Sequence, residues 1–176
     1  MKIHTERFEL IRIDESHVSN KYVDWLNEPE INQYLEVRHI QHTIKSTIEF
    51  LKSVSKSEVD YLFGVYSEGD HIGNIKIGPI DKLYSVADIG LMIGDKQWWG
   101  KGVATEIIHA VTQFGFETLE LEKIEAGCYE DNIGSKKAFL RCGYQEEGFI
   151  REHFVSHGKR VGCFKLGMTL SEWNNG

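Results

Sequence analysis

A chain of 176 residues with a formal net charge of −7 is about the length of one domain, and its acidic balance argues against a nucleic-acid partner, which calls for a basic footprint. With 41% hydrophobic and 27% charged residues, the composition is ordinary for a globular protein, and the length suffices to bury a core without disulfide or metal staples. Cys128, Cys142 and Cys163 are odd in number and widely spaced, against both a disulfide framework and a zinc site, and no metal is expected. The opening residues hold no apolar signal core and no later run reaches membrane-spanning length, so a cytoplasmic protein with no membrane partner is expected.

Residues 7–13 alternate as a strand. Ser16 is a candidate cap for a helix whose Val18, Tyr22, Trp25 and Leu26 fall at helical spacing. Pro29 suits the first turn of a second short helix running through Ile31, Tyr34 and Leu35. Thr43 is placed to cap a third, with Ile44, Ile48, Leu51 and Val54 on one face. The middle reads as β structure. A hairpin over 61–67 and 71–80 turns at Glu68-Gly69-Asp70, and a further strand covers 85–93. An amphipathic helix over 102–119 turns Ala104, Ile107, Ile108, Val111 and Phe114 inward. A strand at 123–129, a helix at 133–142 and a hairpin over 145–156 and 160–169 complete the chain. The expected fold is one α/β (α+β) domain over 1–176 with a mixed sheet of about seven strands.

The segment Gln97-Trp98-Trp99-Gly100-Lys101-Gly102-Val103-Ala104 lies between a strand and the start of a strongly amphipathic helix. Glycines there leave backbone N–H groups unshielded at the positive end of a helix, a cradle for a pyrophosphate; a plain strand-to-helix turn is the alternative. Two other phosphate loops fail on spacing. Gly94 precedes Gly100-Lys101 by one residue too many for a P-loop, and Thr105 stands where the third glycine of a dinucleotide fingerprint belongs.

The pattern QxxGxG at Gln97, Gly100 and Gly102, with Ala104 after it, resembles the acetyl-CoA pyrophosphate loop of the GNAT acetyltransferase superfamily. Further on, Asn132, Ser135, Phe139, Gly143 and Tyr144 resemble its NxxSxxxFxxxGF segment. The opening Thr5-Glu6-Arg7-Phe8-Glu9-Leu10, the run Glu146 to Glu152 and the hairpin ending near Trp173 are similar to the RimJ/RimL-like branch. The resemblance implies a mostly antiparallel sheet flanked by helices and splayed between its fourth and fifth strands. It also implies an enzyme that moves the acetyl group of acetyl-CoA to a primary amine by direct attack on the thioester, as a monomer or homodimer. Backbone groups of Leu91, Met92 and Ile93 would then hold the pantetheine arm, and residues Gln97, Trp98, Trp99, Gly100, Lys101, Gly102, Val103 and Ala104 the pyrophosphate. Asn132 would bond the pantetheine amide and Ser135 would sit near the sulfur. Lys137 or Arg141 would reach the 3′-phosphate, unless both are simply solvated.

The acid and base are not carried over so directly. Phe139 stands where the RimI-like branch has a tyrosine donor, and Gly127 where it has a glutamate base. Ser135 is the remaining hydroxyl for the thiolate, and Asp88 is a candidate base acting through water, with a structural anchor as its other reading. These two vacancies also motivate a competing function, a noncatalytic acyl-CoA-binding sensor. For the acceptor, resemblance points to the first two helices, where Trp25, Glu30, Tyr34 and Arg38 are the candidates. Aromatics at helical spacing are more often core, which is the other reading of Trp25 and Tyr34. A nucleotide-linked amino sugar would use Arg38 for phosphate, a polyamine would prefer the glutamates, and a protein N-terminus is the third acceptor.

Overall fold

The computed structural model describes all 176 residues. In chain order its first half comprises β1 (Lys2–His4), β2 (Glu9–Arg12), α1 (Asn20–Asn27), α2 (Pro29–Asn32), α3 (Ile44–Val54), β3 (Tyr61–Ser67), β4 (Asp70–Ile77) and β5 (Val86–Ile93). The second half comprises α4 (Val103–Glu117), β6 (Lys123–Tyr129), α5 (Ile133–Arg141), β7 (Gln145–Ser156), β8 (Lys159–Thr169) and α6 (Leu170–Asn175). The eight strands form one sheet in the order β1-β2-β3-β4-β5-β6-β8-β7. Every neighbouring pair is antiparallel except β5 and β6. That parallel pair needs a crossover, which α4 supplies.

Local signals explain most boundaries. Thr43 caps α3 in a reciprocal pair with Ser46, as its position before the apolar face predicts. Ser16 is not the cap of α1. Asp14 caps a short 3-10 turn first, and Ser19 then accepts the Tyr22 amide at 3.2 Å to start α1. Helix α2 ends at Asn32, so Tyr34 falls beyond it, in a turn. The first expected strand begins only at Glu9, and the three-residue β1 before it raises the count from seven to eight. Terminal α6 was not expected; Thr169 and Glu172 cap it reciprocally.

Two apolar clusters pack on the sheet. The larger joins Ile107, Ile108, Val111 and Phe114 of α4 and Phe139 of α5 to Phe63, Ile75, Ile77, Ile89 and Ile124 of the strands. The smaller gathers Tyr22, Trp25, Leu26, Ile31, Leu51 and Val54 of α1, α2 and α3 over Ile13, Leu62 and Met92. Helices therefore cover the sheet from both sides, α4 and α5 with the first cluster, α1 to α3 with the second. No helix is long and apolar enough to cross a membrane.

Candidate active site

Strands β5 and β6 are paired over only three rungs, Val86 with Lys123, Ala87 with Ile124 and Asp88 with Glu125. Beyond Asp88 they separate, while β5 stays paired to β4 as far as Ile93. The parity of that second ladder decides which backbone groups are left over. Gly78 donates its amide to the Asp88 carbonyl at 2.8 Å, and Gly94 donates to the Ile72 carbonyl at 3.0 Å. Even-numbered residues of β5 therefore turn their polar groups to β4, and odd-numbered ones turn theirs away from it. The backbone of Leu91 and the amide of Ile93 consequently face the gap left by β6, whereas Met92 is committed to its register partner Asn74. The Ile93 carbonyl accepts from the Trp99 indole at 2.8 Å.

The gap opens into a cleft of about 520 Å³, walled by β5, the glycine loop, the start of α4, the strand end Gly127 to Tyr129 and α5. Gly100 and Gly102 have φ of +71° and +77°, in the left-handed region that favours glycine. Gly102 is the N-cap of α4 and offers no side-chain cap, so the first-turn amides remain unclaimed by a cap at the cleft wall. Trp98 packs edge-on against Phe8 at 5.4 Å. Trp98, Trp99, Gly100, Gly102, Val103 and Ala104 line the cleft; Gln97 and Lys101 do not, the latter resting its ammonium over Trp98.

On the opposite wall, the Asn132 side-chain oxygen caps α5 by accepting the Ser135 amide at 3.3 Å, which leaves its amide nitrogen for a ligand. Ser135 Oγ lies 3.5 Å from Cys128 Sγ, whose thiol is pushed up by burial. Phe139 is buried against Tyr144 at 5.0 Å. Lys137 and Arg141 are exposed on the cleft's edge and pair with no carboxylate.

Residues 7–145 match the acetyltransferase (GNAT) domain family. The chain belongs to that family. The uncharacterized N-acetyltransferase p20 of Bacillus licheniformis is 25% identical over 177 residues, 97% of either chain. The ribosomal-protein-serine acetyltransferase of Escherichia coli is 25% identical over 154 residues, 84% of either chain, in keeping with the RimJ/RimL-like resemblance. Among solved structures, spermidine N-acetyltransferase from Vibrio cholerae in complex with CoA and spermine shares the fold with a TM-score of 0.87 at 20% identity, over 96% of this chain and 99% of that one.

In this acetyltransferase the acceptor candidates divide. Glu30 and Tyr34 line the cleft, and Glu30 is the one carboxylate that does. Its partner is Lys96, at 2.5 Å, which also bonds Glu28. Trp25 is core: it packs against His71 at 5.0 Å, and any Cβ on Gly94 would overlap its indole. Arg38 is engaged by protein. It donates to the Leu35 carbonyl at 2.8 Å, the Tyr129 hydroxyl at 2.7 Å and the Val155 carbonyl at 3.0 Å, and it stays outside the cleft lining. Asp88 is exposed on the last paired rung, below the opening, and does not line the cleft either.

Among the cleft residues that sequence reasoning missed is Tyr129. Its ring lies flat on Phe154 at 3.9 Å and its hydroxyl donates to Glu36, so burial and that carboxylate push its pKa up to about 12. A signal was available. Gly127 was singled out as a base position, and strand alternation puts residue 129 on the same face.

Proposed function

We propose that the chain transfers the acetyl group of acetyl-CoA directly to the primary amine of a cationic acceptor in the cytoplasm. The observation that carries this reading is the Leu91 backbone and the Ile93 amide, both left unpaired by β6 and facing a gap whose far end is the capless start of α4. A pantetheine arm completes a ladder that β6 abandons, and the α4 amides donate to a pyrophosphate without a charged side chain. The Asn132 amide would bond the arm. Lys137 or Arg141 would meet the 3′-phosphate, because both are free of carboxylate partners at the cleft's edge. One inward amide of β5 would stabilise the oxyanion, and Ser135 would assist the departing thiolate.

The acceptor class follows from charge. Lys137 and Arg141, both on α5, are the only Lys or Arg lining the cleft, while Arg38 and Lys96 are held by protein groups. The acceptor end thus supplies Glu30, Tyr34 and Tyr129 and no free cation, which suits a polyamine or a protein N-terminus and disfavours a nucleotide-linked sugar. Glu30, rather than Asp88, is the carboxylate positioned to attract the amine and take its proton through water. CoA release measured with acetyl-CoA against spermidine, N-terminal peptides and nucleotide-linked amino sugars tests the assignment. Turnover on the cationic amines is expected. Tight acetyl-CoA binding with no turnover on any amine would establish the sensor reading instead.

A further inference from the structure

Arg7 stands outside the cleft, in the turn between β1 and β2, yet it touches the glycine loop. Its Nε donates to Glu106 Oε2 at 2.6 Å and its Nη1 to the Lys101 carbonyl at 3.0 Å. Glu106, in the first turn of α4, also accepts the Arg7 amide at 2.9 Å and the Thr5 hydroxyl at 2.6 Å on its other oxygen. Burial works to raise the Glu106 pKa, but the hydrogen bonds from Thr5 and Arg7 and the Arg7 charge outweigh it and hold the carboxyl below its usual range. The next residue, Phe8, is buried and braces Trp98 at the loop's other end. One short turn therefore grips the loop at both Trp98 and Lys101, 94 residues away from Arg7 in the second case.

The grip on Lys101 has a direction. A trans peptide is planar and points its carbonyl and the following N–H to opposite sides. Holding the Lys101 carbonyl outward on Arg7 therefore turns the Gly102 N–H the other way, and Gly102 is a cleft residue. Both φ-positive glycines of this loop are soft joints, with no Cβ to restrict them. Without an external tether, the amides would sample many orientations, and a ligand would have to order them on binding.

We propose that Arg7 is a positioning residue for the cofactor: the Glu106–Arg7–Lys101 relay pre-aims the loop amides at the pyrophosphate. The inference rests on the acetyl-CoA reading above. A guanidinium is suited to the task because one rigid fork serves a carboxylate and a carbonyl at once, which a lysine ammonium on a flexible stem does poorly.

The test uses two acetyl donors with the same thioester arm, acetyl-CoA and S-acetylpantetheine, the second lacking the pyrophosphate. Wild type, Arg7→Ala and Arg7→Lys are compared by CoA titration calorimetry and by steady-state kinetics with each donor, with thermal unfolding to verify the fold. For Arg7→Ala, CoA affinity should fall about ten- to a hundredfold, the equivalent of one charge-assisted hydrogen bond. The acetyl-CoA KM should rise in step with kcat held within about twofold, and kcat/KM for S-acetylpantetheine should stay within about twofold of wild type. Arg7→Lys should recover only part of the loss, and it carries the same comparison if the alanine variant does not fold. Equal losses with both donors would overturn the proposal, since a general structural role harms both alike. So would an unchanged CoA affinity in a folded variant. Wild-type protein that binds no CoA would refute the cofactor reading itself, an outcome distinct from either.

Discussion

Replacing Gly102 with alanine separates two costs that a loop glycine can hide. Gly102 has a φ of +77°, and so does not differ much from Gly69, at +87° in the β3–β4 turn. Placing a Cβ in that region costs about 1–2 kcal/mol, which for a chain of this size lowers Tm by about 2–8 °C. Neither site adds a clash in the free protein. A Cβ on Gly69 has nothing within 4 Å, and one on Gly102 meets only the Arg7 guanidinium, at 3.7 Å. The two variants should therefore lose similar stability. Binding should distinguish them. A methyl at Gly102 stands off a phosphate from the amides behind it, and losing one charge-assisted hydrogen bond of about 1.5–3 kcal/mol weakens CoA binding about 10- to 150-fold. Gly69→Ala should leave CoA affinity untouched. Paired calorimetric titrations with CoA and thermal melts supply both readings. Equal CoA affinities in the two folded variants would remove the pyrophosphate from the start of α4.

Two further outcomes are expected. Glu30→Gln should cut kcat/KM for the acceptor by about 10²-fold at neutral pH, a defect that shrinks as pH rises toward the amine pKa of about 10.4, while Asp88→Asn stays near wild type; the opposite ranking in pH–rate profiles would return the base to Asp88. The Tyr129 phenol should titrate at about pH 12, read as the ultraviolet difference between wild type and Tyr129→Phe. Because that pKa is raised on folding, its contribution to stability is complete below about pH 10 and is lost as pH climbs through 12; a titration at the ordinary tyrosine value would mean that neither the burial of the phenol nor its Glu36 contact persists in solution.

Periodicity and glycine spacing were enough to anticipate β5, α4 and the loop between them, because those signals are local. The same holds for Asn132, which caps α5 at the start of the motif that drew notice to it. What escaped was set by distant partners. Arg38 reads as a free cation beside aromatics, and its commitment depends on Val155, 117 residues further on. For Trp25 helical spacing favours core without excluding a ligand platform, and Gly94 lying against its ring decides for core. The extra strand β1 was invisible for a different reason: its flanking residues Lys2 and His4 are exposed, so only Ile3 carries any apolar signal. The place of Asp88 outside the cleft lining was likewise not legible, because a strand pattern does not give rung position, which comes from the register with β6.

The ion pair between Lys96 and Glu30 gives the proposed acceptor end of the cleft an occupant of its own. Lys96 puts an ammonium on the cleft carboxylate before any amine arrives. It sits on a half-exposed stem that is also drawn to Glu28 and hovers 6.0 Å from the Trp99 ring centre. Solvent screens an exposed pair of this kind, so an incoming cation can displace the lysine without much opposition, and the lysine retains Glu28 as a resting place. For the cationic acceptor proposed above, recognition would then be an exchange of one ammonium for another rather than the filling of a bare anionic hole. A neutral ligand would bring no charge to that exchange and would leave Lys96 on Glu30, so under the proposed reading the pair favours a cation.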